Sequence, residues 1–393
     1  MAADPRGRVR WLTPAVVGFS VASLFSDLGH EWVTALLPGF LAGLDAPPVA
    51  LGVVEGISNL GQALAGWWGG QLADRSLHRQ AWILLGYVAT ALKAGLAWVY
   101  LWPWVVVLRT LAWIGRGLRG PLRNTVLAEE VPAEHRGKAF GFREAWDTAG
   151  AVLGPLVALV LLPHLALRPQ LALSALPGVA ALLAVAVWIH PRPPSSAPAA
   201  DRDRLVPLGP AFRRTAHALI QFQLAWVAPT LFILRVERSQ PGGHPAVALA
   251  VGLYVLHNVA YAVTAFPVGA WVDRHTPESA LILGGGLATL LLAVFALPGV
   301  HPALWALAFV AAGMVTALWE TAQKPWILRT LNPEARGAGF GYLAVGLGLA
   351  QLAGNLLVTG LWSAFHAPPA FLTAAVLAAL ATLRLVQLAR GAR

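Results

Sequence analysis

The stretch Gly70-Gln71-Leu72-Ala73-Asp74-Arg75 returns in the second half of the chain as Gly269-Ala270-Trp271-Val272-Asp273-Arg274, and both copies follow a long hydrophobic run. Asp74 and Asp273 are 273 − 74 = 199 residues apart, and Arg136 and Arg336 are 336 − 136 = 200 residues apart. A nearly constant offset of this kind identifies an internal duplication. In a membrane protein, duplicated halves are typical of a transporter whose binding site lies between them.

The composition indicates that the chain spans a membrane. Hydrophobic residues make up 57% of it and charged residues only 12%, and the mean hydropathy is +0.64. A helix needs roughly 20 apolar residues to cross a bilayer. Six runs of this kind occur in each half, so we predict an all-α polytopic membrane protein with twelve spans, near residues 12–40, 49–72, 81–101, 103–127, 139–162, 169–190, 214–236, 246–271, 279–297, 302–328, 338–362 and 368–388.

A polar segment separates the two halves. Residues 191–204 are rich in proline, serine and charge, a composition typical of a linker. We therefore expect an N-terminal six-helix bundle over 1–190, a cytoplasmic linker over 191–212 and a C-terminal six-helix bundle over 213–393.

The net charge of +10 is distributed asymmetrically. Most arginines fall at span ends that an even number of spans places on one side of the membrane. This is the positive-inside pattern, and it puts both termini in the cytoplasm. Basic residues spread over all inner loops do not form the patch of a nucleic-acid reader. The chain has no cysteine, which excludes disulfides and thiolate metal sites.

The repeated loops place charges at the inner membrane surface. Asp74-Arg75 ends the second span and is followed by Arg79, and Asp273-Arg274 repeats the pattern. A carboxylate there can face the positive end of a neighbouring helix, while the arginines reach acidic groups or lipid phosphates. Glu129-Glu130 is the nearest acidic partner for these arginines. The alternative is that each copy is an ordinary solvated turn.

The first copy, Gly70 through Arg75 with Arg79, resembles the loop motif between the second and third helices of the major facilitator superfamily. The second copy, with Gly269, Asp273 and Arg274, stands between the eighth and ninth spans, as in that family. Leu77 stands where a glycine is usual and His78 where a basic residue is usual. The resemblance covers the whole chain. It implies a transporter, not an enzyme, with two pseudo-symmetric six-helix bundles that rock about a central cavity.

A motif in the fifth span bears on the direction of transport. Gly141, Gly150 and Gly154-Pro155 are similar to the fifth-helix motif of antiporters and exporters in this superfamily. Glycines four residues apart let two helices approach closely, and the proline bends the helix there. The second half keeps Gly354 but has Asn355 in place of the proline. The resemblance implies export, and the alternative is a general packing face of small residues.

Three further segments, Arg116–Asn124, Arg136–Phe142 and Asp147–Gly150, resemble a poorly characterised bacterial subgroup of the superfamily. The resemblance implies a multi-pass protein of the bacterial inner membrane. It implies no particular substrate.

The first span carries the densest set of ionisable residues at membrane depth. Asp27, His30 and Glu31 are spaced i, i+3 and i+4, which places them on one helical face. At about 1.5 Å per residue, Asn59 lies at the depth of Glu31, and Glu55 lies about one turn further out. Because charges in hydrocarbon are costly, such residues mark functional sites. The sequence therefore predicts an acidic pocket at the top of the first bundle.

Three interpretations of this pocket remain open. A desolvated Asp27 or Glu31 could carry a coupling proton or bind a cationic solute. Alternatively, the two carboxylates and His30 could ligate a divalent cation. In the third, Asp27 and Glu31 only neutralise arginines elsewhere, or His30 and Glu31 lie near the interface in water.

The fourth span supplies basic partners. Asp147 in the fifth span lies at the depth of Arg116 and is its expected counter-charge. An ion pair formed in one access state would be a gate, whereas a permanent pair would be structural. Arg119 and Arg123 lie nearer the inner surface and are expected to contact lipid or loops.

In the second half the polar candidates include Asn258, Trp319 and Glu320. Glu320 and Lys324 are i, i+4 neighbours and could neutralise each other. Trp319 is deep enough to line a cavity for an aromatic or cationic solute.

Together these features favour a proton-coupled exporter of a small organic solute. A divalent-metal transporter of the same fold is the alternative. A membrane enzyme would need a nucleophile with its base, or a metal motif, and the sequence has neither at usable spacing. A receptor would need an attached signalling module, and we expect only short tails. The expected partners are a small-molecule solute, protons and bilayer lipid, on a monomer without a cofactor.

Overall fold

A computed structural model describes residues 11–189, 208–332 and 335–391. Within these ranges the chain is helical and contains no β-strand. Both predicted cytoplasmic termini, and the predicted linker up to residue 207, lie outside the described residues.

Fourteen α-helices follow one another along the described chain. Those of the first half are α1 Pro14–Ala42, α2 Pro48–Arg75, α3 Arg79–Ala91, α4 Trp102–Glu130, α5 Arg136–Leu161, α6 Leu167–Leu173 and α7 Ala175–Trp188. Those of the second half are α8 Pro210–Ala225, α9 Pro229–Glu237, α10 His244–Arg274, α11 Pro277–Ala296, α12 Pro302–Thr330, α13 Arg336–Ala364 and α14 Ala367–Gly391. A 3₁₀ segment, Leu92–Trp98, continues α3, and a short one, Ala133–His135, precedes α5.

These helices form the twelve predicted spans, because α3 runs into its 3₁₀ segment, α6 into α7 and α8 into α9. Nine of the spans in the described chain are long and apolar enough to cross a membrane. The other three, α1, α2 and α4, have 29, 28 and 29 residues. They carry Asp27, Glu31, Glu55 and Arg116, charged candidates of the first half that belong on faces that avoid lipid.

The break between α8 and α9 has a local cause. Ala228 precedes Pro229 and has extended backbone angles, φ −60° and ψ 140°. Proline disfavours the helical conformation in the residue before it, so the helix stops. The backbone N–H of Ala228 then donates to the side-chain oxygen of Asn355, at 3.0 Å. Asn355, which replaces the proline of the first half, therefore stabilises an interruption of the seventh span.

The duplication is visible in where the helices begin. The starts of α4 and α12 differ by 302 − 102 = 200 residues, those of α5 and α13 by 336 − 136 = 200, and those of α6 and α14 by 367 − 167 = 200. The two halves therefore repeat the same order of helices, as the sequence predicts.

The described helices belong to two compact units. Among the described residues, those of the first unit fall within 1–34, 61–99 and 107–202, and those of the second fall within 35–60, 100–106 and 203–393. Phe19, Ile83, Leu122 and Val185 are fully buried in the core of the first unit. In the second unit, the ring of Phe295 lies 4.4 Å from that of Phe232, and Phe309 and Phe371 pack beside it. The predicted bundle boundaries stay a prediction.

Two glycines of α5 lie directly against the backbone of α1. A Cβ on Gly150 would collide with the carbonyl oxygen of Leu24, and a Cβ on Gly154 would collide with that of Leu28. Only glycine permits this approach, and Pro155 is buried beside it. The small residues of the fifth-span motif thus fix the contact between α1 and α5.

We expect Gly150→Ala to destabilise the protein by about 1–3 kcal/mol, because the added methyl group forces α1 and α5 apart. Gly141→Ala is the matched control in the same helix, since a Cβ there would meet nothing within 4 Å. Thermal unfolding of the detergent-purified variants measures the difference. Equal melting temperatures for the two variants would show that α1 and α5 do not touch at Gly150.

Candidate functional site

The first unit contains a buried ion pair between α1 and α4. Arg116 donates to both carboxylate oxygens of Asp27, with Nη1 2.5 Å from Oδ1 and Nη2 3.1 Å from Oδ2. The side chains are 26% and 7% exposed, respectively. A guanidinium that meets both oxygens of a carboxylate forms the most directional charge-assisted contact. Loss of either charge would leave the other buried and uncompensated, so each depends on its partner.

The predicted pairing of Arg116 with Asp147 is wrong. Asp147 instead lies 3.3 Å from Nη1 of Arg143, one turn earlier in α5. Arg143 also donates to the neighbouring Glu144. An i, i+4 partner on the same helix is nearer to Asp147 than a residue of equal depth on another helix.

His30 and Glu31 occupy different environments. His30 is 5% exposed, and its ring centroid lies 3.9 Å from that of Trp113. The guanidinium of Arg109 lies 3.9 Å from the centroid of the same Trp113 ring. Glu31 is only partly buried, with a carboxylate oxygen 3.8 Å from Nε2 of His30. The interpretation of His30 as a residue in interfacial water is therefore wrong.

A face of hydroxyl groups receives the other arginines of α4. Arg119 is 2% exposed and donates to Ser26 at 2.5 Å and to Thr90. Arg123 donates to Ser23 at 3.1 Å. Ser23 and Ser26 are three residues apart on α1, a spacing that could have predicted such a face. The expectation that Arg119 and Arg123 contact lipid or loops is wrong, because the hydroxyls of α1 and α3 bind their guanidinium groups inside the unit.

An ion pair joins the start of α3 to the end of α4. Nη1 of Arg79 lies 2.8 Å from both carboxylate oxygens of Glu129, which confirms the predicted partner. In the second unit, Arg329 lies 3.7 Å from Glu278 at the equivalent helix ends. The two halves therefore keep an ion pair at this place with the charges exchanged.

The other residues of the repeated loop motif lie at the ends of α2 and α10. Asp74 and Arg75 lie in the last turn of α2, and their side chains lie outside the described residues. Asp273 and Arg274 are exposed at the end of α10. A Cβ would have open space at Gly70 and an ordinary contact at Gly269. The role of Asp74 and Asp273 as latches stays a prediction.

In the second unit the candidate residues have neighbours of their own. Asn258 is 6% exposed. The ring of Trp319 stacks on that of Phe222, with centroids 4.0 Å apart. Glu320 accepts a hydrogen bond of 2.8 Å from the hydroxyl of Tyr261, a partner that the sequence did not predict. Trp319 therefore has one ring face covered by a phenylalanine.

Glu55 and Asn59 belong to the second unit, whereas Asp27, His30 and Glu31 belong to the first. Glu55 is 3% exposed. A single acidic pocket made from all five residues stays a prediction. Within the described ranges, no three histidine, aspartate or glutamate side chains converge as they would around a metal ion. The alternative in which Asp27, His30 and Glu31 ligate a divalent cation gains no support, because the carboxylate of Asp27 is bound by Arg116.

Comparison with known families gives two matches to one description. The model of the Major Facilitator Superfamily matches residues 19–236 and 216–392. The matches overlap at residues 216–236, in α8 and α9, and together they span nearly the whole chain.

Similar proteins cover the chain at comparable length. An uncharacterised MFS-type transporter of Methanocaldococcus jannaschii is 25% identical over 360 residues, which are 88% of this chain and 87% of that protein. An uncharacterised protein of Mycobacterium tuberculosis is 28% identical over 358 residues, 88% of this chain and 86% of that protein. The crystal structure of the nucleoside transporter NupG has a TM-score of 0.76 at 14% identity, covering 95% of this chain and 98% of that one. At that identity the likeness concerns the fold alone.

Proposed function

The chain belongs to the major facilitator superfamily of membrane transporters, and we propose that it is a proton-coupled exporter of a small organic solute. The observation that carries the proposal is the buried pair of Asp27 and Arg116. It is a bidentate ion pair between two membrane-spanning helices of the first unit, and one of its members can be neutralised by a proton.

Protonation of Asp27 would change what holds α1 to α4. As a carboxylate, Asp27 binds both outer nitrogens of Arg116. As a neutral acid, it offers Arg116 no compensating charge, and the partly buried guanidinium needs another partner. The free energy of the α1–α4 contact therefore depends on whether a proton is bound. A coupling element of this kind lets a pH gradient bias one access state over the other.

The contact between α1 and α5 supports the assignment of direction. Gly150 and Gly154 hold α1 against α5, and the motif that they form resembles that of antiporters and exporters. Because α1 carries Asp27 and α5 carries Asp147, this contact lets the proton-binding helix move together with its neighbour. In the proposal, proton entry into the cell drives the step in which solute leaves.

Alternating access is the proposed mechanism. The N-terminal bundle, 1–190, rocks against the C-terminal bundle, 213–393, and the linker 191–212 joins them on the cytoplasmic side. The protein acts as a monomer in the bacterial inner membrane, with both termini in the cytoplasm. The distribution of arginines supports this orientation.

The orientation gives a testable prediction. We expect protease-cleavable tags placed at Met1, beside Ser196 and at Arg393 to be protected from external protease in intact cells, because all three lie in the predicted cytoplasm. Cleavage after permeabilisation is the control for tag accessibility. External cleavage at any of the three sites in intact cells would overturn the topology.

A ligand screen tests the class of solute. Purified protein is heated with organic cations, organic anions, neutral solutes and divalent metals in one panel, and the melting temperature is measured. A ligand that binds the folded state raises it by mass action. The proposal expects an organic solute to give the largest saturable rise. Stabilisation by divalent metals alone would instead support the metal transporter.

A further inference from the structure

Lys93 is a buried cation without a hydrogen-bond acceptor. It lies in the 3₁₀ segment that follows α3 and is 1% exposed. Within the described part of the chain, its Nζ has no hydrogen-bond partner. Nζ lies 3.3 Å from the position that a Cβ on Gly29 would take, so it packs against α1 at Gly29. In the sequence, Gly29 stands between Asp27 and Glu31. An unpartnered buried charge is unfavourable, and such a group gains from losing its charge.

The duplicated half shows that packing does not require a charge at this position. Counted from the helix starts Arg79 and Pro277, Lys93 corresponds to Leu291, because 93 − 79 = 14 and 291 − 277 = 14. Leu291 is 3% exposed, so the same buried place is filled by a leucine in the second unit. The amine of Lys93 therefore adds something that the fold does not need.

The surroundings of Lys93 are rich in positive charge. Its charged neighbours on α1 and α4 are Asp27, Arg109, Arg116 and Arg119. Asp27 is the carboxylate among these neighbours, and Arg116 already binds it. Two further titratable groups belong to neighbouring elements, His30 on α1 and Tyr87 on α3. On the side of α6 and α7, the neighbours Ser174 and Pro177 are uncharged, and Arg168 binds the carbonyl of Ala97. At 1% exposure an organic solute cannot reach the amine.

A proton is small enough for a place from which a solute is excluded. Two hydroxyl groups, those of Ser26 and of Thr90, which is three residues before Lys93, accept from Arg119. Hydroxyl groups both donate and accept hydrogen bonds, so they can pass a proton along. The site around Lys93 therefore favours a proton, the smallest cation, over an organic solute.

We propose that Lys93 is a second proton-binding group of the transporter, which holds a proton as an ammonium ion in one access state and releases it as a neutral amine in the other. The inference rests on the proposed proton coupling. The negative charge of Asp27 attracts the ammonium ion, and a proton arriving on the Asp27 carboxylate removes that attraction. One proton then binds to an oxygen of Asp27, and one leaves the nitrogen of Lys93, which keeps the electron pair of the broken N–H bond.

Three variants separate this role from a structural one. Lys93→Leu places the residue type of the second half at this position and cannot bind a proton. Lys93→Arg keeps a permanent cation, because arginine does not release its proton in proteins. Lys93→Met is a second neutral variant with an unbranched side chain. A proton-cycling role is lost in all three, whereas a purely cationic role survives in Lys93→Arg.

The experiment needs no known solute. Leu77 and His275 are exposed, and the chain has no cysteine, so Leu77→Cys and His275→Cys provide two sites for spin labels. The distance between the labels is measured in lipid nanodiscs, at pH values from 5 to 9, by pulsed electron paramagnetic resonance. The change in the ratio of the two distance populations with pH counts the protons exchanged. By linkage, we expect the number of protons exchanged to differ by about one between the wild type and each Lys93 variant. Lys138→Leu, at an exposed position of α5, is the control that should keep the wild-type pH dependence.

Each outcome has one meaning. A pH dependence in Lys93→Leu and Lys93→Met that is not zero and is identical to that of the wild type overturns the role of Lys93 and leaves the proposed function standing. Retention in Lys93→Arg alone shows that Lys93 acts as a fixed cation, and this also overturns the inference. Populations that do not change with pH in the wild type and in all three Lys93 variants overturn the proposed proton coupling itself, because Asp27 then binds no proton as the access state changes. Elution of each variant as a single symmetric peak in size-exclusion chromatography verifies that it is folded.

Discussion

Asp27→Asn is expected to abolish uphill, pH-driven export, while exchange of solute across the membrane continues. The asparagine cannot bind the coupling proton, and Arg116 loses the charge that holds it at 2.5 and 3.1 Å from the carboxylate. Exchange requires only binding and rocking, with no net proton movement. Both are measured in proteoliposomes with the organic solute that the thermal screen identifies.

Two further substitutions define the specificity of this result. Glu144→Gln is the control, because the Glu144 side chain is 55% exposed on α5 and should not affect coupling. His30→Ala should have a mild effect if Asp27 carries a proton, since the imidazole packs on Trp113 and not on the ion pair. Full pH-driven activity in an Asp27→Asn, Glu31→Gln double variant would remove the acidic residues of α1 from the mechanism.

A disulfide between residues 49 and 363 is expected to stop exchange as well as uphill transport. The backbone N–H of Val49 in α2 donates to the hydroxyl of Ser363 in α13 at 2.9 Å, within the second unit. In the predicted topology this contact lies at the outer surface and must open when the bundles rock. Because the chain has no cysteine, Val49→Cys with Ser363→Cys introduces the only possible pair.

The control disulfide lies within the C-terminal bundle. A Cβ on Gly285 of α11 would lie 3.2 Å from that of Thr382 in α14, so Gly285→Cys with Thr382→Cys joins two helices that the proposal moves together. We expect oxidation to inactivate only the first pair, and reduction to restore it. Unchanged exchange by the fully oxidised 49–363 pair would contradict rocking at this contact.

Features that repeat along the chain were predictable from sequence. The offset of about 200 residues located the duplicated helices, and the hydrophobic runs gave the spans, because both signals are local. The Arg79–Glu129 pair was also predictable. It joins two helix ends that a short loop brings to the same membrane surface.

Contacts that depend on helix rotation were not predictable in the same way. Counting residues gives the depth of Arg116 and Asp147 but not the direction in which their side chains point. The sequence therefore predicted Asp147 as the partner of Arg116, whereas in the structure the partner is Asp27. The burial of Arg119 likewise depends on serine hydroxyls of α1. The role of Asn355 at the break before Pro229 requires two spans to be adjacent, which no local pattern encodes.

Solute accumulation in proteoliposomes tests the central claim most directly. Vesicles with an acidic lumen are diluted into alkaline buffer that contains the radiolabelled solute, and the label inside is measured with and without nigericin, which collapses the pH gradient. A proton-coupled exporter working as an antiporter should accumulate solute above equilibrium in the acidic lumen, and nigericin or Asp27→Asn should abolish the accumulation. Uptake that only reaches equilibrium, or accumulation that requires the opposite gradient, would contradict proton-coupled export.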